Sequence, residues 1–195
     1  DAALEKMEIK KEAIKSFATK SPQLIFASNT SSLSVGEMAQ ASLHPERVIG
    51  MHFFNPAPKM PLIEVIRGPK TSPEAIVTIV DFSKKIGKTP IVVKDAAGFL
   101  VNRVLMPYLN EAALIYEEGR FTITQLDEAM LDFGMPMGPF TLLDEIGLDI
   151  GAEVATILYN AFGDRMKPSA LMGAMVSAGR LGKKKSLGFY KYGDK

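Results

Sequence analysis

Apolar residues in the first half of the chain fall into short runs, each stopped by polar or Pro/Gly-rich punctuation and separated by helical stripes. Leu4, Met7, Ile9, Ala13, Ile14 and Phe17 recur at helical spacing, and Ser21-Pro22 ends the stripe. Leu24-Ile25-Phe26-Ala27 reads as a strand running into the polar loop Ser28-Asn29-Thr30-Ser31-Ser32. Ser34 caps a short helix through Met38 to Ala41, with Glu37 as its capping-box partner. Val48 to Phe54 is a second apolar strand, closed by Asn55-Pro56-Ala57-Pro58. Leu62-Ile63-Glu64-Val65-Ile66 is a third, stopped by Arg67-Gly68-Pro69. Thr71-Ser72-Pro73-Glu74 opens a helix to about Ile86, and Pro90 to Val93 is the last strand. Strands this apolar, alternating with helices, belong to an α/β sheet covered on both faces.

Beyond Gly98 the period changes. Val101, Val104, Leu105, Tyr108, Leu109, Ala112 and Tyr116 give one long helix, with a kink expected at Pro107. Thr124 is placed as the cap of the next helix, and further helices fall around residues 140–146, 150–161 and 170–178. No strand pattern lies between Gly98 and Arg180. The pattern predicts two domains, α/β over residues 1–97 and all-α over residues 98–195.

The charge balance, 23 basic against 22 acidic residues for a net +1, argues against a nucleic-acid partner or a polybasic membrane patch. No apolar run is long enough to span a bilayer. The absence of cysteine removes disulfides, thiolate metal sites and a cysteine nucleophile. With two histidines, His44 and His52, and no carboxylate cluster at ligand spacing, no metal site is expected. The expectation is a soluble protein of the cytoplasm, with a mitochondrial or peroxisomal location left open. The sequence also holds no Gly-x-Ser-x-Gly elbow, no P-loop and no Gly-x-Gly-x-x-Gly.

What remains is a set of groups at strand ends. His52 closes an apolar strand, and Glu64 sits inside another, where a carboxylate is costly unless paired. The short Asn-Pro-Ala-Pro connection makes the two strands plausible neighbours. A carboxylate accepting from one imidazole nitrogen fixes the tautomer and leaves the other nitrogen as a general base. The Ser28–Ser32 loop follows a strand end, where α/β sheets bind ligands, and Asn102 is a polar residue early in an apolar helix. Each has a plainer reading. His52 would be structural, Glu64 would face solvent on an edge, the serines would cap a helix and Asn102 would be surface. His44 reads as loop surface, Lys183-Lys184-Lys185 as a solvated run and the methionines as core filler. Periodicity and spacing alone reach a two-part α/β plus α protein with acid–base chemistry open.

The motifs in order are more specific. Ser28-Asn29-Thr30-Ser31-Ser32-Leu33, Gly50-Met51-His52-Phe53-Phe54-Asn55-Pro56, Glu64-Val65, Gly98-Phe99-Leu100-Val101-Asn102-Arg103, Pro136-Met137-Gly138-Pro139 and Gly188-Phe189-Tyr190 together resemble the L-3-hydroxyacyl-CoA dehydrogenases of fatty-acid β-oxidation. The resemblance covers essentially the whole chain. Phe133 to Pro139 and Asp144 to Asp149 look most like the dehydrogenase part of the multifunctional enzymes, though monofunctional relatives, including 3-hydroxybutyryl-CoA dehydrogenases, share the motifs. It implies the C-terminal half of a Rossmann-type NAD-binding domain followed by a helical domain, and NAD-dependent oxidation of a 3-hydroxyacyl-CoA to the 3-ketoacyl-CoA. His52 would be the general base and Glu64 its orienting carboxylate, with Ser31 and Asn102 on the substrate oxygen and the imidazole. Glu5, Lys10, Asn29, Asn55 and Lys184 would contact NAD. The partners implied are an acyl-CoA substrate and either a second copy or the rest of a multifunctional chain or complex.

One departure stands out. The family opens with a strand, a Gly-rich turn and a helix that hold the pyrophosphate, and this sequence opens on Asp1 in a helical pattern. The expectation is a segment with the catalytic residues but without the phosphate cradle, inactive alone. Two alternatives stay open, a non-catalytic dimerisation or interaction module derived from the family, and a dehydrogenase acting on another hydroxy acid.

Overall fold

The computed structural model describes residues 1–18 and 21–193. They form two compact units, Asp1–Leu100 and Val101–Lys195, so the expected boundary near residue 97 lies at Leu100.

The first unit is a four-stranded sheet in the order β1 (Phe26–Ser28), β2 (Val48–Phe53), β3 (Leu62–Arg67), β4 (Thr89–Lys94). The outer pairs are parallel and the central pair, β2 with β3, is antiparallel. The short Asn55–Pro61 connection dictates that reversal, since a parallel return needs a longer crossover. Alternation along β2 and β3 then fixes two faces. Ile49, Met51, Ile63 and Val65 pack with Ile79 of α3 (Pro73–Lys85) on one side. Val48 and Ile66 pack on the other with Ile14 of α1 (Met7–Ala18) and Val35, Met38 and Ala39 of α2 (Val35–Ala39). By the same period His52 and Glu64 belong to this second face.

Helix ends depart from expectation at α1, at α2 and at the helix Ile123–Phe133 of the second unit. Ser34 does cap α2, accepting from the Glu37 N–H, but Glu37 does not reach back; its carboxylate binds Lys11 Nζ at 2.7 Å. Asp95 instead holds this helix start: its Oδ2 accepts from Ser34 Oγ (2.8 Å) and Gly36 N (2.7 Å), tying the end of β4 to the start of α2. This helix also stops at Ala39 because the Gln40 and Ala41 N–H groups tighten onto Glu37 and Met38 carbonyls, one residue short of helical spacing. Leu4 lies outside α1 and is exposed.

The second unit holds α4 (Val101–Glu117), α5 (Ile123–Phe133), α6 (Pro139–Ile146), α7 (Leu148–Phe162) and α8 (Ala170–Ser177). The chain continues helically through Pro107. The cap of α5 is Thr122, not Thr124: Thr122 and Gln125 form the reciprocal capping box. Leu109, Phe140, Leu143, Leu148 and Leu158 form the buried interior, with Phe140 edge-on to Tyr116 and Phe189.

Two buried aspartates organise this interior. Asp127 accepts from the Phe140 N–H (2.8 Å) and Thr141 N–H (3.0 Å) at the start of α6, and from Tyr190 Oη (3.0 Å). Asp144 accepts from the Phe189 and Tyr190 N–H groups (2.9 and 3.0 Å) and from Tyr192 Oη (2.9 Å). The glycines of the Met-Gly-Pro and Gly-Phe-Tyr motifs are required by close approach. A Cβ on Gly138 would lie 2.4 Å from the Asp127 Cβ, and one on Gly188 would lie 1.9 Å from Asp144 Oδ1.

Candidate active site

His52 and Glu64 are direct register partners across the antiparallel β2–β3 pair. Opposite residues point to one face, so the fold delivers imidazole and carboxylate to each other without a loop. Nδ1 of His52 lies 2.8 Å from Oε2 of Glu64, with the carboxylate fully buried and the ring 5% exposed. The edge-strand reading of Glu64 is therefore replaced by a buried, paired carboxylate in a central strand. A buried carboxylate needs its other oxygen satisfied as well. Oε1 accepts from the Leu100 main-chain N–H at 2.9 Å.

Two aromatic rings confine the imidazole. Phe54 lies 4.6 Å away between centroids and Phe99 lies 5.9 Å away, both tilted. With Nδ1 engaged by the carboxylate, Nε2 is the nitrogen left for chemistry. A neutral ring held in that tautomer is a general base.

The loop beyond β1 sits beside this strand end, because β1 and β2 are parallel and Asn29 Oδ1 accepts from the Phe53 N–H at 2.9 Å. Glu5 gathers the loop. Its Oε1 accepts from Thr30 Oγ1 (2.6 Å), Ser31 N (2.8 Å) and Ser32 N (3.0 Å). Lys10 is fully buried behind it, with Nζ 3.4 Å from Glu5 Oε2 and 3.4 Å from Ser28 Oγ. Burial alone would raise the Glu5 carboxyl; the hydrogen bonds from Thr30, Ser31 and Ser32 and the charge of Lys10 outweigh it and hold the group below its ordinary 4.5. Ser31 itself is exposed, as is Asn55 beyond the end of β2.

So the first unit brings together His52 with Glu64, and Glu5 with Lys10 and the Ser31 loop. Asn102 and Lys184 lie in the second unit. Asn102 is the second residue of α4 and half-buried. Lys184 binds both oxygens of Asp149, at 2.6 and 2.7 Å, and those bonds hold the Asp149 carboxyl below its usual range. Sequence reasoning did not find Phe54, Phe99 or the Leu100 N–H around the pair. The first two carried a signal in their aromatic character beside His52 and Gly98; a main-chain donor carries none.

Uncharged hydrogen-bonding side chains, those of Asn29, Thr30, Ser31, Ser32 and Asn55, gather at or beyond the carboxyl ends of parallel strands, where α/β sheets bind dinucleotides. The model for the 3-hydroxyacyl-CoA dehydrogenase NAD-binding domain matches residues 1–96, and that for the C-terminal domain matches residues 98–192. The chain belongs to the 3-hydroxyacyl-CoA dehydrogenase family. Within that family it is 50% identical over 194 residues to the fatty acid oxidation complex subunit alpha of Shewanella oneidensis, covering 99% of this chain and 27% of that one. The chain thus spans about a quarter of the length of the curated relatives it matches. Among solved structures it superposes on (S)-3-hydroxybutyryl-CoA dehydrogenase from Ralstonia eutropha with a TM-score of 0.95 and 42% identity, over 99% of this chain and 69% of that one. The 3-hydroxybutyryl-CoA dehydrogenase of Escherichia coli gives 0.94 and 40%, over 100% and 42%. The 3-hydroxyacyl-CoA dehydrogenase family thus accounts for both units, the α/β sheet and the helical domain.

Proposed function

We propose that this chain carries the acid–base machinery of an NAD-dependent L-3-hydroxyacyl-CoA dehydrogenase, acting in fatty-acid β-oxidation. The observation that carries the reading is the buried 2.8 Å contact between His52 and Glu64. A dehydrogenation at a secondary alcohol needs a base for the hydroxyl proton. His52 Nε2 takes that proton, and the Nδ1–H donates to Glu64, whose negative charge stabilises the imidazolium that forms. Ser31 and Asn102 hydrogen-bond the substrate oxygen. NAD, when bound, supplies the acceptor for the hydride from C3. Asn29, Asn55, Glu5, Lys10 and Lys184 would contact the bound dinucleotide.

A fatty-acyl thioester of coenzyme A is the substrate class, and the chain works as a homodimer or as part of a larger multifunctional subunit. The 195-residue sequence holds no Gly-x-Gly-x-x-Gly cradle, so on this reading it binds NAD weakly alone and turns over little substrate. The test is NADH formation from 3-hydroxybutyryl-CoA and a longer 3-hydroxyacyl-CoA by the full-length protein, with and without His52→Gln. Equal rates for the two proteins would sink the reading.

A further inference from the structure

The backbone beside the His52–Glu64 pair takes an uncommon path. Gly98 has φ +70° and Phe99, a bulky residue, has φ +46°. A left-handed conformation at such a residue is strained, and it persists only where its surroundings over-determine it. Three contacts do so here. The Phe99 N–H donates to Ala96 O at 2.8 Å, closing the turn. The Phe99 ring is buried in the core face shared with Ile14, Val35 and Ile66. The next N–H, that of Leu100, meets Glu64 Oε1 at 2.9 Å. A right-handed Phe99 would swing either the ring out of the core or the N–H off the carboxylate.

We infer that the Gly98–Leu100 turn is a positioning device for the base: Phe99 anchors the turn, and the Leu100 N–H fixes the far oxygen of Glu64 so that the near one faces His52. This rests on the functional reading of His52 above. Among the described residues, Glu64 is a charged group facing the imidazole, and Phe54 and Phe99 pack against the ring. An N–H donor stabilises the carboxylate most when the imidazole is neutral, because an imidazolium already offsets the charge. Removing that N–H therefore favours proton uptake by the pair.

The test replaces the Phe99–Leu100 amide by an ester, incorporating the α-hydroxy analogue of leucine at position 100 of the full-length dehydrogenase. The expected result is kcat lowered about 10-fold at neutral pH, the acid limb of kcat/KM moved to higher pH, and NAD affinity kept. An acid limb at its original pH overturns the inference. If the ester protein does not fold, two side-chain variants decide. Phe99→Asn tolerates positive φ and Phe99→Val does not, while both lose the ring. Because both lose the anchoring ring and only Phe99→Val also disfavours the left-handed backbone, the inference requires the limb to move in both and further in Phe99→Val; unmoved or equal limbs overturn it. His52→Gln separates the two levels. If it leaves turnover intact, the functional reading fails; if it abolishes turnover while the ester enzyme keeps its limb, the positioning device alone fails.

Discussion

His52 and Glu64 face each other as register partners at the centre of the first unit's sheet, 2.8 Å apart and shut away from solvent. The pairing is set by strand register, so it does not depend on a mobile loop. His52→Gln in the full-length protein should lower kcat by about 10³-fold while leaving NAD affinity unchanged, as removal of a general base does. Glu64→Gln keeps the shape but loses the charge that favours the imidazolium. Its kcat should fall by about 10- to 100-fold and the acid limb of its pH–rate profile should move to lower pH. Steady-state kinetics across pH, with calorimetry for NAD, checks both; an unmoved limb in Glu64→Gln would argue against the pair.

Glu5 acts on the loop that carries Ser31 through three convergent hydrogen bonds from Thr30, Ser31 and Ser32. Its carboxyl is held below 4.5 in the folded protein, so its contribution is present above that value and is lost as pH falls below it. Glu5→Ala should strip amide-exchange protection from Ser31 and Ser32 and lower kcat/KM for the acyl-CoA about 10-fold. Glu5→Gln retains an acceptor oxygen but not the charge facing Lys10, so it should lie between wild type and Glu5→Ala. Hydrogen-exchange protection in the wild type that survives well below pH 4.5 would contradict this role for the carboxylate.

The strand–helix order, the strand break at Asn55-Pro56 and the candidacy of His52 and Glu64 were legible because each leaves a local signature: period, breaker, or charge in an apolar run. The pairing itself followed from one short connection. Caps were harder. Thr122 and Thr124 each precede a polar residue three positions on, Gln125 and Asp127, so the template fits twice; what decides is that Asp127 is spent on α6 and Tyr190. Asp127 and Asp144 were invisible as buried groups because in sequence they occupy ordinary polar positions of helical stripes. Their donors come from α6 and the Gly188–Tyr192 segment, distant along the chain. The Leu100 N–H and the left-handed Phe99 have no side-chain signature at all, and they emerge only once the fold is known.

Tyr190 reports on the second unit. Burial first, then its hydrogen bond to Asp127 and that residue's charge, push its hydroxyl from 10 up to about 12. The folded state therefore favours the neutral phenol, and the associated stability is complete below pH 10 and is lost as pH rises toward 12. The helical unit's melting temperature should fall across that window. Tyr190→Phe should start lower, having lost the bond to Asp127, and should show a shallower alkaline decline, with Tyr192, also raised by burial and Asp144, accounting for the remainder. Thermal melts followed by circular dichroism at stepped pH measure this; parallel slopes for the two proteins would refute it.

The Asp144 latch gives the sharpest structural prediction. Its carboxylate takes the Phe189 and Tyr190 N–H groups and the Tyr192 hydroxyl, so it holds the Gly188–Tyr192 segment to α6. Asp144→Asn keeps the volume, but its amide nitrogen must face one of those donors. Leaving a buried donor unpaired beside a mismatched amide should cost about 2–3 kcal/mol. Gly188→Ala attacks the same contact from the other side: its Cβ would sit 1.9 Å from Asp144 Oδ1, so the segment must lift rather than adjust. Both variants should lower the melting temperature and speed tryptic cleavage at Arg180 and Lys183–Lys185 as the segment loosens. They should leave the His52–Glu64 pair intact, because that pair is built wholly within the first unit. The double variant decides between a shared latch and two separate faults. If both changes act by releasing the same segment, Asp144→Asn combined with Gly188→Ala should destabilise little more than Gly188→Ala alone, whereas additive losses would mean that the segment is held by something other than Asp144.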